Sequence, residues 1–167
     1  TNPCRHVERN PERKLERFLS EMELARLAEV LVDAERARTE LPSALAAIRL
    51  LLFTGARLSE ILTLKWEHVD MEGKCLRIPD SKTGAKTIYL PSSGLEVLAG
   101  LEQSDDNPYV IAGAKLGCHL VNLRKPWGRI RARAKLDDVR IHDLRHSFAS
   151  MAVAGGLSLP MIGALLG

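Results

Sequence analysis

The chain has 167 residues, of which 46% are hydrophobic, 27% charged and only 4% aromatic. This length and balance predict one globular domain with a core built mainly from Leu, Ala, Val and Ile. The three cysteines are odd in number and far apart, so they indicate neither a disulfide framework nor a Cys-x-x-Cys metal pair, and a reducing, intracellular compartment fits best.

Positive charge is concentrated in one segment of the chain. The net charge is +3 overall, but residues 121–146 carry eight basic and three acidic side chains, a net +5. A solvated helix face and a face that follows nucleic-acid phosphates both explain such a run, and the charge alone leaves the two open. The candidate DNA-binding residues are Arg124, Lys125, Arg129, Arg131 and Arg133.

The first part of the chain reads as a linker followed by helices. Residues 1–19 are polar and are predicted to be a linker, with the domain proper in 20–167. Ser20 and Glu23 form a capping box, which predicts a helix that runs to about Arg38.

A second helix is predicted to begin at Pro42 and to end at Gly55 in a left-handed cap. A short third helix follows with an apolar stripe that includes Leu58 and Ile61. Arg57 lies at its start and Glu60 lies three residues later, within reach of the guanidinium. This pair is either a structural cap or an arginine that a carboxylate orients toward a ligand.

The middle of the chain changes to the period of β-strands. Residues 75–79 and 86–91 predict a hairpin, with Gly84 in the turn at positive φ. Lys82 therefore sits at the hairpin tip, where a lysine is either solubilising or able to reach a bound polymer.

Four helices are predicted after the hairpin: from Ser92 or Ser93 to about Leu101, from about His119 to Lys135, from about His142 to Ala154, and from Leu159 to Leu166. A short extended piece is expected at 109–111, and Pro126 is expected to kink or break the second of these helices. Glycine, proline and serine interrupt the uncharged tail, 147–167, so a membrane span is not expected.

His142, Arg145 and His146 lie within about one turn of the predicted helix, so they share a face. The arginine fork matches phosphate oxygens, and histidine can donate to an oxygen or carry a proton near neutral pH. Together they make a poor core element and a good phosphate site.

Three motifs together resemble the phage integrase family of tyrosine recombinases: Thr-Gly-Ala-Arg-Leu-Ser-Glu at 54–60, Ser-Lys-Thr-Gly at 81–84, and His-Asp-Leu-Arg-His-Ser-Phe-Ala at 142–149. The resemblance implies a mainly α-helical catalytic domain with a small antiparallel sheet. It also implies duplex DNA as the substrate, other recombinase protomers as partners and no small-molecule substrate. A tyrosine would attack a DNA phosphate to give a 3′-phosphotyrosine bond, without ATP, metal or other cofactor. The setting would be the cytoplasm of a bacterium, near the nucleoid, with the gene carried by the host, a phage or a mobile element.

The resemblance also implies a role for each matched residue. Arg57 and Arg145 would stabilise the negative charge of the phosphorane. Lys82 would protonate the departing 5′-oxygen, and His142 would assist proton movement at the nucleophile. Glu60 would support the first arginine, and His146 would support packing or a second hydrogen bond.

The sequence departs from the family pattern at its end. It stops at Gly167, before the position at which the family pattern places the nucleophilic tyrosine, and the expectation is that the chain lacks the family's amino-terminal DNA-clamping domain. Tyr89 and Tyr109 are its only tyrosines, and neither matches the nucleophile. The expectation is a catalytic-domain fragment, truncated before the tyrosine, that cannot cleave DNA by itself.

Besides a helical domain whose His, Arg and Lys residues are incidental, two other interpretations are open on sequence grounds. The chain is a DNA-binding or regulatory relic of an integrase if its basic segment is used without catalysis. It is a zinc hydrolase if His142 and His146, spaced as in a helical zinc site, bind metal. The second interpretation explains neither Arg57 nor Lys82, and no metal site is assigned.

Overall fold

A computed structural model describes residues 17–81 and 84–154, and within these it contains six α-helices and one three-stranded sheet. The helices are α1 (Glu21–Arg36), α2 (Pro42–Thr54), α3 (Leu58–Leu62), α4 (Ser92–Ala99), α5 (Arg124–Arg133) and α6 (Asp143–Ala154). The strands are β1 (Val69–Asp70), β2 (Cys75–Ile78) and β3 (Lys86–Tyr89). The predicted fold class, mainly helical with a small antiparallel sheet, is confirmed.

Helix α2 is the centre of the fold and packs against α1, α3, α4 and α6. Nine of its thirteen residues are buried, as expected for a helix that is apolar on all sides. It ends at Gly55, whose φ of +61° is the predicted left-handed conformation. The chain therefore reverses at Gly55 and delivers Arg57 to the start of α3.

Helix α1 begins with the predicted capping box. The Glu23 backbone N–H donates to Ser20 Oγ at 3.3 Å, and the Ser20 N–H donates to the Glu23 carboxylate at 2.9 Å. Hydrogen bonds from Arg17 and Ser20 lower the pKa of Glu23 to about 2. The helix ends slightly before the predicted Arg38, because that residue adopts a positive φ of 51°.

The sheet is antiparallel in the order β1-β2-β3, and the hairpin of β2 and β3 is confirmed. Gly84 in its turn has a φ of +97°, as predicted. Strand β1 was not predicted, because two residues are too few to show an alternating pattern. Lys82 at the hairpin tip lies outside the described residues.

Helix α5 corrects one prediction. A helix from about His119 was expected, but α5 begins only at Arg124. Residues 119 and 120 pair instead with 111 and 112, where the Leu120 N–H donates to the Ile111 carbonyl at 2.8 Å. Pro126 then falls in the first turn of α5, where a missing N–H breaks no helical hydrogen bond, so the helix continues through it without a break.

Helix α6 begins at Asp143, one residue after the predicted start. The Asp143 side chain is fully buried and accepts from the Arg140 backbone N–H at 2.7 Å. Ser147 Oγ donates to the Asp143 carbonyl at 2.9 Å and accepts from the Leu19 N–H at 3.0 Å. These hydrogen bonds set the orientation of α6 and connect the helix to the segment before α1.

Across 17–81 and 84–154, no helix is both long and apolar enough to cross a bilayer. The predicted last helix, Leu159–Leu166, lies outside the described residues, as does the linker up to residue 16.

Replacing Ser147 with Ala should lower the free energy of unfolding by about 1–3 kcal/mol, because the buried Leu19 N–H would lose its acceptor. Urea denaturation measures this change. Ser92→Ala, at an exposed serine with no capping hydrogen bond, is the control and should stay within about 0.5 kcal/mol of the wild type. Equal stability of the two variants would contradict the anchoring role.

Candidate functional site

Arg57 is positioned by the start of helix α3. It occupies the N-cap, and Glu60 accepts from its backbone N–H at 2.9 Å and from its Nη1 at 3.0 Å. The predicted contact between these two residues is confirmed. The Glu60 side chain is only 4% exposed, so the pair is not the solvated surface ion pair that usually contributes little.

Lys86 is a third member of this cluster that sequence reasoning missed. Its Nζ lies 3.0 Å from Glu60 Oε2, and its side chain is 10% exposed. The strand period was the available signal: Lys86 is two residues from buried Ile88, so both side chains lie on the same face of β3. A lysine on the core face of a strand needs an acidic partner, and Glu60 is that partner.

Glu60 stays ionised despite its burial. Burial raises the pKa of this carboxyl, but hydrogen bonds from the Arg57 backbone, from Lys86 and from the Arg57 guanidinium outweigh it and hold the pKa below its ordinary value. One carboxylate thus organises two cations.

Arg145 on α6 approaches the same cluster. It is partly buried, and burial together with the charge of Arg57 lowers its pKa, while Glu60 acts in the opposite direction. Arginine nevertheless remains charged at neutral pH. The structure therefore places the Arg145 guanidinium within electrostatic range of both Arg57 and the buried Glu60 carboxylate.

His146 lies on the same helix as Arg145, and His142 comes directly before that helix. Their rings meet edge to face with centroids 4.9 Å apart, and Phe18 packs on His146 with a centroid separation of 6.4 Å. Partial burial, His146 and Arg145 lower the pKa of His142 against the opposing charge of Asp143. His142 keeps solvent access and is predominantly neutral at pH 7.

A cleft of about 630 Å³ opens beside Arg57 and Glu60. Its other wall is the outgoing end of the hairpin, residues 78–81, which leads directly to Lys82. The cleft is open to solvent, and charged side chains, those of Arg57, Glu60 and Asp80, are part of its lining.

The basic residues of α5 divide into two groups. Arg129 is held by Glu40 in a two-fold ion pair, Arg131 donates to the Val139 carbonyl at 3.0 Å, and Arg133 donates to Thr39 at 3.4 Å. These three contacts brace α5 against its neighbours. Arg124 and Lys125 are exposed in the first turn of α5. Their positive charges face the positive end of the helix dipole, so a bound anion there would relieve an unfavourable interaction.

Two further observations concern metal-binding side chains and the two tyrosines. Within the described parts of the chain, no group of three or more His, Cys, Asp or Glu side chains is placed to hold a metal ion. Tyr89 is 65% exposed on β3, and Tyr109 packs edge-on against His119 with centroids 5.1 Å apart.

Comparison with known proteins identifies the family. The model of the Phage integrase family matches residues 17–167, which is most of the chain. The chain therefore belongs to the phage integrase family, as its three motifs predicted.

Relatives and solved structures agree with this assignment. Tyrosine recombinase XerA of Pyrococcus furiosus is 28% identical over 167 aligned residues, which cover 95% of this chain and 56% of that protein. The crystal structure of XerA recombinase has a TM-score of 0.75 at 23% identity, covering 90% of this chain and 56% of that one. The XerH recombinase bound to its difH substrate in a pre-cleavage complex has a TM-score of 0.70 at 22% identity, and the match covers 90% of this chain and 46% of that one.

These structural likenesses show the fold. The chain spans between 25% and 56% of the length of the curated relatives that it matches.

The electrostatics of His142 predict a titration midpoint below the 6.5 of an unperturbed histidine. The folded protein then binds fewer protons than the unfolded one, so stability falls as pH drops below about 6.5. Histidine NMR titration measures the midpoint, and His146→Gln should raise it by removing one repulsive charge. A midpoint at or above 6.5 would contradict this description of the site.

Proposed function

We propose that the protein containing this chain is a tyrosine-type DNA recombinase or integrase that exchanges DNA strands at specific sites. In this proposal residues 20–167 belong to its catalytic domain, and residues 1–19 lead into that domain. The observation that carries the proposal is that Arg145 lies within electrostatic range of Arg57 and of the Glu60 carboxylate that binds Arg57, in a member of the phage integrase family.

The two arginines suit a phosphoryl-transfer transition state. When a hydroxyl attacks a DNA phosphodiester, negative charge accumulates on the nonbridging oxygens of the pentacoordinate phosphorus. Two guanidinium groups held beside each other before substrate arrives stabilise that charge without reorganisation. Their mutual repulsion is relieved by a bound phosphate, so the site favours the anion over water.

The proton transfers are assigned to His142 and Lys82. A tyrosine hydroxyl loses its proton as it attacks phosphorus, and the neutral His142 imidazole is able to assist that transfer. The departing 5′-oxygen gains a proton from Lys82, which follows the cleft wall formed by residues 78–81. The products are a phosphotyrosine ester and a free 5′-hydroxyl. Neither Tyr89 nor Tyr109 is assigned the role of nucleophile.

Duplex DNA is the proposed partner. The XerH recombinase, whose fold this chain shares, was solved on its difH substrate. Other protomers bound to the same DNA are proposed as further partners, and the compartment is the cytoplasm near the nucleoid.

Arg57→Lys and Arg145→Lys should each lower the rate of strand cleavage by about 10²–10³ fold, because lysine keeps the charge but loses the two-pronged geometry. Cleavage is measured with the gene product that contains this chain, as covalent capture of a nicked suicide duplex. Arg49→Lys, at an arginine paired with Glu35, is the matched control and should cleave normally. Normal cleavage by both site variants would refute the proposal, and DNA binding without any cleavage by the wild type would favour the regulatory relic.

Replacing Arg124 and Lys125 together with Gln should weaken binding to any duplex and reduce the slope of log K against log salt by about 2, roughly one unit for each lost phosphate contact. Fluorescence anisotropy over a salt series with this chain measures the slope. Arg49→Gln is the control for the loss of charge away from α5. An unchanged slope in the double variant would remove these two residues from the interface.

A further inference from the structure

We propose that Lys86 is a positioning residue for the phosphate site: it holds the carboxylate of Glu60 in the orientation that aims Arg57, and it joins the turn end of the hairpin to that site. This inference rests on the proposed function, because the site it serves is the phosphate site of the recombinase.

The geometry gives Glu60 two separate tasks. Its Oε1 accepts from the Arg57 guanidinium at 3.0 Å. Its Oε2 accepts from the Arg57 backbone N–H at 2.9 Å and lies 3.0 Å from Lys86 Nζ. The Lys86 ammonium therefore holds Oε2 of Glu60 in place. Because the two oxygens belong to one rigid carboxylate group, this contact also sets the position of Oε1, which binds the Arg57 guanidinium.

Burial makes this arrangement consequential. The side chains of Glu60 and Lys86 are 4% and 10% exposed, so water cannot readily replace either partner. A buried carboxylate that loses one of its cations is destabilised far more than an exposed one. Arg145 also repels Arg57, so a carboxylate held in place is needed to keep the two guanidinium groups together.

The position of Lys86 in the sheet argues against direct contact with the substrate. Lys86 pairs with Ile78 in the β2–β3 register and lies on the same face as buried Ile88. Its Nζ lies 3.0 Å from Glu60 Oε2, and the cleft is lined by Arg57, by Glu60 and by residues 78–81 but not by Lys86. Lys86 therefore acts through Glu60.

The same contact connects two parts of the site. Lys86 follows Lys82 by four residues and is the first residue of β3, the strand that returns from the hairpin turn. When Lys86 binds Glu60, the hairpin is attached to the N-terminus of α3, where Arg57 lies. The orientation of the first arginine and the placement of the hairpin thus depend on one ion pair.

The test uses this chain, Lys86→Met, and Lys86→Arg as the conservative rescue. Lys115→Met, at an exposed loop lysine, is the matched control. The first readout is the rate of hydrogen exchange of the Arg57 Nε–Hε group by NMR, assigned by its loss in Arg57→Lys and measured without ligand. The second readout is the affinity for inorganic phosphate, followed by the same signals. Thermal unfolding verifies that each variant is folded.

We expect Lys86→Met to speed exchange at Arg57 and to weaken phosphate binding about tenfold, equivalent to about 1.4 kcal/mol. Lys86→Arg should remain close to the wild type, and Lys115→Met should be unchanged. In a Glu60→Gln background, Lys86→Met should cause no further loss, because the two residues act in series. Should Lys86→Met fail to fold, Lys86→Arg and Lys86→Gln supply the same comparison.

Unchanged exchange at Arg57 in Lys86→Met would overturn the inference. An equal loss of phosphate affinity in the wild-type and Glu60→Gln backgrounds would also overturn it, because Lys86 would then act on phosphate directly. If Arg57→Lys and Arg145→Lys leave phosphate binding unchanged, the proposed function fails, while the exchange readout still tests the role of Lys86.

Discussion

The carboxylate of Glu60 is the interaction on which the site depends. It is almost fully buried, yet it remains charged because a backbone N–H, a guanidinium and an ammonium converge on its two oxygens. The residues that supply these donors come from the N-terminus of α3 and from strand β3, so one side chain joins a helix to the sheet. Without an ionised carboxylate there, Arg57 and Arg145 would only repel each other.

The fold serves this interaction through α2 and α6. Helix α2 is buried on nearly all sides, and its glycine C-cap turns the chain so that Arg57 begins the next helix. Helix α6 packs on α2, and Asp143 and Ser147 anchor its first turns. Arg145 is thereby held within electrostatic range of Arg57 and Glu60, and His142 comes directly before the helix. A site for a transferring phosphate needs this kind of preorganisation, because its main task is to place charge before the reaction begins.

Local rules predicted the parts of the structure that depend on neighbouring residues. The Ser20–Glu23 capping box, the left-handed Gly55 and the Arg57–Glu60 pair all follow from spacings of four residues or fewer. The predicted start of α5 at about His119 was wrong, because residues 119 and 120 pair with 111 and 112. Helical propensity contains no information about such pairing.

The parts of the site that could not be predicted from the sequence are contacts between residues far apart in the chain. The meeting of Arg57 with Arg145 joins residues 88 apart, and only the motifs shared with a family suggested it. Lys86 was overlooked because a lysine near a hairpin tip looks solvated until its partner, 26 residues earlier, is known. The roles of Lys82 and of the exposed cations on α5 stay predictions.

The central claim is that Arg57 and Arg145 bind one phosphate between them, and a crystal structure of this chain with orthovanadate tests it most directly. Orthovanadate is a tetrahedral analogue of phosphate that becomes five-coordinate, like a phosphoryl transition state, when a fifth oxygen ligand binds to vanadium. The account predicts one vanadate with oxygens about 2.7–3.2 Å from both guanidinium groups and with Glu60 still bound to Arg57. Vanadate bound elsewhere, or held by only one of the two arginines, would contradict it.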